Sequence, residues 1–328
     1  MNYRRLGRTG LQVSELGYGS WGIGKQMWVG ADDAESKKSL QAALDAGVNF
    51  IDTALVYGDG HSESLVGQVV RESAEQVYVA TKIPPANYEW PARSGVAASE
   101  AFPGKWVREC TERSLSNLGL EAIDVQQFHV WSDEWVGQGD WAEAIDQLRS
   151  EGKIRYFGVS INDHQPANAL RLVRSGLVDT VQVIYNIFDQ SPEDELFPAV
   201  QQADVGVIVR VPFDEGSLTG SVTPGTVFPE GDWRNGYFGG NRKAQVWERV
   251  QAVAHELGRP VEGLAEVALR FCLSHPAVST VIPGMRRTAN VERNVAAAAL
   301  GALPDAEVAK LHAHRWVRNF YQAAKPPW

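Results

Sequence analysis

Polar side chains stand at the ends of apolar runs where carbonyl chemistry would need them. Asp52 closes one such run, Tyr57 follows five residues later in Ala-Leu-Val-Tyr-Gly, and Lys82, His129 and Ser160 close the next three. A hydride arriving at a carbonyl carbon leaves charge on the oxygen, so a nearby group must donate a proton there. Tyrosine can donate, although its ordinary pKa is about 10. A neighbouring ammonium, Lys82, favours phenolate and lowers that value, making Tyr57 a better acid in reduction and a usable base in alcohol oxidation. Asp52 is placed to keep a partly buried Lys82 charged, and a neutral His129 can hydrogen-bond the carbonyl oxygen and orient it. Singly, Asp52 could cap a helix, Lys82 snorkel and His129 sit in a core; as a set at strand ends they point to one site.

The elements that must position them alternate along the chain as β-rich and amphipathic helical runs, the pattern of parallel strands with crossover helices. Eight strands are predicted, at Leu16–Gly19, Val48–Asp52, Val77–Lys82, Ile123–His129, Ile154–Ser160, Thr180–Tyr185, Val205–Val211 and Ser279–Pro283. Asp32 or Asp33 is expected to cap the first helix and Gly47 to end it. Ser62 is expected to cap the second, with Glu63 and Glu72 on its polar face and Leu65, Val66, Val69 and Val70 inward. Long connections at Ile83–Phe102, Val130–Gly139 and Pro212–Arg242 all follow strand C-termini, the active-site face of a (β/α)₈ barrel. Tyr3–Leu6 and Leu11–Ser14 flank Gly7–Gly10 as a hairpin covering the barrel bottom. The expected fold is an α/β TIM barrel forming a single domain over residues 1–328.

Composition removes other classes. With 40 acidic against 31 basic residues the formal charge is −9, and no Lys/Arg run offers a footprint for nucleic acid or an anionic membrane. The Ala-rich run Val295–Leu303 is far short of the about 20 residues that span a bilayer. Cys110 and Cys272 form neither a disulfide framework nor a zinc pattern, and a cytoplasmic setting is expected. Gly17-Tyr-Gly19-Ser-Trp-Gly22 matches a dinucleotide fingerprint, but that motif must open directly into a helix, and here helix begins only near Asp33. A glycine-rich turn at a barrel mouth is the preferred reading.

The motifs Asp52-x₄-Tyr57-Gly58, Ser62-Glu63, Val79-Ala-Thr-Lys82, Phe128-His129, Gly158-Val-Ser160, Val181-Gln182, Tyr185-Asn186 and Val281-Ile-Pro-Gly284 together resemble the aldo-keto reductase superfamily, in its order and over nearly the whole chain. That resemblance implies a (β/α)₈ barrel, NADP(H) across its mouth, no metal, and Asp52, Tyr57, Lys82 and His129 as a catalytic tetrad. It implies that Ser160 and Gln182 hold the nicotinamide carboxamide and that Ser20, Arg210, Pro212, Phe213, Gly216, Ser217 and Gly284 contact the cofactor. Arg286, Arg287, Asn290 and Asn294 would hold its adenosine end. A helix N-terminus near Thr288 beside two arginines is an anion site in its own right, and the arginines favour NADPH over NADH.

Three departures from the family pattern stand out. Arg210 occupies the place of an aromatic that stacks on nicotinamide, and Asp214 or Glu215 is the expected carboxylate partner of its charge. A frequent Ser-Asn pair is split as Ser160-Ile-Asn162, and Gly284 stands in place of a basic residue. Trp21, Trp28, Trp90, Trp131, Trp135 and Trp233 fall in predicted mouth segments and are expected to wall an aromatic substrate pocket, with Trp316 and Trp328 in a tail folding over it. The expected partner is a small carbonyl or alcohol, an aldehyde, ketone or sugar. The alternatives are an NADPH-binding redox-sensing regulatory subunit, and an isomerase or dehydratase using the cofactor transiently.

Overall fold

The protein is described by a computed structural model covering residues 1–25 and 27–321. Two short strands, β1 (Tyr3–Arg5) and β2 (Gln12–Ser14), pair antiparallel as the expected hairpin. The remaining strands form an eight-stranded parallel sheet in sequence order: β3 (Tyr18–Gly19), β4 (Phe50–Asp52), β5 (Tyr78–Ile83), β6 (Ile123–Phe128), β7 (Ile154–Ser160), β8 (Thr180–Ile184), β9 (Gly206–Arg210) and β10 (Thr280–Val281). Parallel bridges Leu16↔Val281 and Gly19↔Gly284 join its first and last strands and close the barrel. Gly19 permits that closure, because a Cβ there would meet the Ile282 carbonyl oxygen at 2.5 Å.

Helices surround the sheet in the order α1 (Asp33–Asp45), α2 (His61–Glu72), α3 (Ala98–Ala101), α4 (Gly104–Leu118), α5 (Trp141–Ser150), α6 (Leu170–Ser175), α7 (Leu196–Gln202), α8 (Arg234–Tyr237), α9 (Arg242–Leu257), α10 (Leu264–Ser274), α11 (Thr288–Ala299) and α12 (Asp305–His312). Asp32 is the cap of α1, its carboxylate accepting from Glu35 N at 2.9 Å. The second helix departs from expectation. Its N-cap is Gly60, in the left-handed region, and Ser62 lies inside the helix, donating to Ser20 Oγ at 2.8 Å and within 2.9 Å of Thr53 Oγ1. Glu63, expected on the polar face, is buried, accepting from Thr81 Oγ1 at 2.6 Å and Asn117 Nδ2 at 2.8 Å. It thereby ties α2 to β5 and α4.

The hairpin explains how the barrel bottom is filled. Leu6 and Val13 pack into a separate apolar cluster with Phe50, Ala80, Val125, Ile208 and Ile282, one layer of the barrel interior. Side chains two apart on a strand share a face. The next inward layer towards the strand C-termini is therefore Asp52, Lys82, Gln127, Gln182 and Arg210, set above that apolar floor. Outside the sheet, Cys110 and Cys272 are free, buried thiols, and burial raises the pKa of both. No helix among the described residues is long and apolar enough to cross a membrane.

Candidate active site

Lys82 is fully buried and its ammonium has three partners. Nζ donates to Asp52 Oδ2 at 2.5 Å, to the Thr53 carbonyl at 2.8 Å and to Tyr57 OH at 3.3 Å. An ammonium has three donors and no acceptor. All three are committed, so the Tyr57 oxygen receives a hydrogen bond from Lys82 and its own hydrogen must point elsewhere. Burial opposes the charge on Lys82, but Asp52 and Tyr57 outweigh it and hold the lysine pKa above its ordinary value.

The tyrosine itself differs from expectation. Burial is the largest influence on Tyr57 and raises its pKa, while the Lys82 charge pulls it back only in part. Lys82 thus moderates a raised pKa rather than producing a lowered one. His129 sits with its ring centroid 5.7 Å from that of Tyr57, edge to face, and the same distance from Trp90. Burial, with the charges of Lys82 and Arg210, pushes its pKa well below the ordinary histidine value, so the imidazole is neutral. The loop carrying Tyr57 is brought close by glycine: a Cβ on Gly24 would stand 2.8 Å from the Tyr57 carbonyl carbon.

Asp52 has a second set of partners that sequence reading missed. Its Oδ1 accepts from Gln182 Nε2 at 2.7 Å and Gln127 Nε2 at 3.2 Å. Gln127 could have been found, because it is a polar residue on a strand two before His129 and so on the same face. Gln182 faces Ser160 in the β7–β8 register, and both lie buried at the mouth. Asn162, two residues beyond Ser160, is engaged elsewhere, donating to the Ala92 carbonyl at 3.1 Å and accepting from Ala92 N at 3.2 Å. Ser20 is buried with its hydroxyl held by Ser62.

Arg210 does not pair with Asp214 or Glu215. Its Nη2 donates to Asp163 Oδ1 at 2.7 Å and to the Ile161 carbonyl at 2.9 Å, so its charge is balanced from the loop after β7. Asp214 instead pairs with Arg318, and Glu215 accepts from Tyr321 OH. The segment 316–321 thereby clamps the loop that carries Pro212, Phe213, Gly216 and Ser217. Within that loop Val211, Asp214 and Glu215 all have positive φ, a costly conformation for a β-branched residue such as Val211.

Glu215 gives this clamp a pH signature. Burial, with the Asp214 charge, pushes its carboxyl up to about 7 against the pull of Tyr321. A carboxyl near 4.3 in the unfolded chain and near 7 when folded binds more protons in the folded state between those values. Stability therefore falls as pH rises through that window. Glu215→Gln should abolish this part of the fall, roughly 2–3 kcal/mol between pH 4.5 and 8 in denaturant unfolding. Parallel declines in wild type and variant would refute it.

The aromatic wall is smaller than expected. Trp21 lies 5.1 Å from Trp233, 5.5 Å from Trp28 and 6.3 Å from Tyr57, centroid to centroid, and Tyr321 stacks on Trp233 at 6.1 Å. Trp131 and Trp135 do not join it. They are buried with Trp141, Phe128 and Phe102 between sheet and helices, and their indole N–H groups are held by Asp133 and the Val96 carbonyl. Trp316 packs on Phe188, and Trp328 lies outside the described residues. A cavity of about 570 Å³ lined by Ser132, Glu134, His164 and Asn168 lies to one side and includes none of Asp52, Tyr57, Lys82 or His129.

Past β10, Gly284 is exposed and Arg286 lies half-buried with its guanidinium 5.8 Å from the Trp28 ring. Arg287 is the N-cap of α11, which carries Asn290 and Asn294. Ser217 Oγ and Asn294 Nδ2 are buried without a hydrogen-bond partner among the described residues. Buried polar atoms normally have partners. Ser217, on the loop after β9, and Asn294, on α11, thus each keep a polar atom that a polar ligand could meet. No group of three or more His, Cys, Asp or Glu among the described residues could hold a metal ion.

A closed parallel barrel thus carries, at its C-terminal mouth, a tyrosine hydroxyl hydrogen-bonded to a buried Lys–Asp ion pair. Residues 15–315 match the aldo/keto reductase family, and the chain belongs to it, an oxidoreductase family using nicotinamide cofactors. It is 31% identical to the aldo-keto reductase YhdN of Bacillus subtilis (strain 168), covering 89% of this chain and 87% of that one. It is 30% identical to an NADH-specific methylglyoxal reductase of Escherichia coli (strain K12), covering 89% and 92%. Among solved structures it resembles the holo form of aldo-keto reductase AKR11C1 from Bacillus halodurans, with a TM-score of 0.76, 26% identity and coverage of 99% and 100%.

Proposed function

We propose that this protein transfers a hydride between NADP(H) and a small aldehyde, ketone or sugar carbonyl, with Tyr57 as general acid in reduction and general base in the reverse direction. The observation that carries this reading is the full commitment of Lys82 to Asp52, Thr53 and Tyr57. It leaves the phenol hydrogen free for a carbonyl oxygen at the mouth. The bound nicotinamide would supply the hydride. Tyr57 then gives its proton to the oxygen, and Lys82, already bonded to the phenol oxygen, stabilises the phenolate that remains. Neutral His129 has no charge to compete for that proton and can donate a second hydrogen bond, which orients the carbonyl.

On this reading Ser160 and Gln182 would hold the carboxamide, Pro212, Phe213, Gly216 and Ser217 the middle of the dinucleotide, and Gly284, Arg286, Arg287, Asn290 and Asn294 the adenosine end. The paired guanidinium of Arg210 would lie under the ring. Trp21 beside Tyr57, Trp28 against Trp21 and Trp90 against His129 would supply the apolar faces of the substrate site. Buried unpaired thiols fit a cytoplasmic setting.

Titrating NADPH and NADH by fluorescence quenching, followed by steady-state assay against aldehydes, ketones and sugars, tests the reading. Quenching with NADPH and consumption of NADPH with a carbonyl is the expected result. Binding without turnover on any of them would favour the redox-sensing alternative, and substrate conversion without net NADPH consumption the isomerase or dehydratase.

A further inference from the structure

We propose that Glu35 is a specificity-determining residue that favours the unphosphorylated over the 2′-phosphorylated dinucleotide; this rests on the cofactor reading above. Glu35 is the third residue of α1, three after the Asp32 cap, the spacing of a capping box in which the glutamate turns back to the cap residue's own N–H. Here the carboxylate reaches across to another helix. Its Oε1 accepts from Thr288 N at 3.0 Å and Thr288 Oγ1 at 3.2 Å, at the first residue of α11.

The N-terminus of a twelve-residue helix after the last barrel strand is where an anion would settle, and Arg287 at its N-cap makes no side-chain cap of its own. Glu35 fills that vacancy in capping with a carboxylate from within the chain. The bonds from Thr288 hold its pKa below the ordinary glutamate value, so it is anionic at neutral pH. On the same helix, Asn294 keeps a buried Nδ2 without a partner among the described residues, a second sign that a polar ligand completes this region.

Two opposing charges therefore act on one choice. Arg286 and Arg287 favour a phosphate; burial first, and then the neighbouring charges of Arg234 and Arg287, hold the Arg286 pKa below its ordinary value against the pull of Asp232. Glu35 opposes it: a 2′-phosphate must either displace the carboxylate from Thr288 or lie beside a like charge. A ribose 2′-hydroxyl has neither difficulty, because it can donate to a carboxylate. The chain thus carries an attractive and a repulsive element, the combination by which a site discriminates close relatives.

The test is the ratio of NADPH to NADH affinity, read from fluorescence quenching at fixed salt in wild type, Glu35→Gln and Glu35→Ala, with melting temperature measured in parallel. Removing the charge should raise the ratio towards NADPH by about tenfold in both variants. A merely structural capping role would lower the melting temperature and leave the ratio unchanged, and that outcome overturns the proposal. If wild type binds neither nucleotide, the cofactor reading falls and this inference with it, a result distinct from an unchanged ratio.

Discussion

Tyr57→Phe is expected to lower turnover by about a thousandfold or more while NADPH affinity changes by less than about twofold. The asymmetry follows from what the hydroxyl touches. Its oxygen accepts from Lys82 at 3.3 Å, and no other hydrogen bond ties it to the described protein, so removing it leaves the ring packed between Trp21 and His129. On the proposed mechanism, what is lost is the proton that Tyr57 would give to the carbonyl oxygen. His129 cannot replace it. With its pKa pushed well below the ordinary value, the imidazole is a hydrogen-bond donor rather than a strong acid near neutrality. Single-turnover kinetics with NADPH and an active carbonyl substrate, beside quench titrations, separate the two quantities. Turnover within tenfold of wild type would remove Tyr57 from the role of acid.

The barrel was legible because its signal is local and repeated: apolar runs of strand length, helices between them, and long connections only after strand C-termini. The set at the mouth was legible for a related reason, since Asp52, Lys82 and His129 each end an apolar run. What spacing could not supply is which loops meet. Arg210 was given carboxylates four and five residues away, but its partner Asp163 comes from the loop after β7, because a strand end projects towards neighbouring loops. Charge puts Glu63 on the polar face of α2, although Thr81 and Asn117 provide buried donors for it. Trp131 and Trp135 lie just past a strand, where position along the chain does not distinguish a ring turned into the mouth from one turned towards the helices. Gln127 was overlooked for the opposite reason, as a strand residue of unremarked polarity whose face follows directly from the two-residue period.

Lys82→Met is expected to destabilise the fold by about 3–5 kcal/mol as well as to abolish turnover. The substitution is close in volume and leaves the apolar stem packed, so a cavity contributes little. The loss comes from the groups the ammonium served. Asp52 would keep its bonds from Gln182 and Gln127 on Oδ1, but Oδ2 and the Thr53 carbonyl would both lose their donor in a buried setting. Such an unpaired charge is costlier than the intact pair is favourable. The double variant Asp52→Asn/Lys82→Met removes the orphaned charge and should therefore regain much of the stability while remaining inactive. Urea unfolding of wild type, both single variants and the double variant closes the cycle. If Lys82→Met proves as stable as wild type, or the double variant is less stable than Lys82→Met alone, the buried pair does not hold this mouth together as described. With the expected signs, the four proteins distinguish two roles of one ammonium: neutralising Asp52 inside the barrel, and presenting Tyr57 with its proton free.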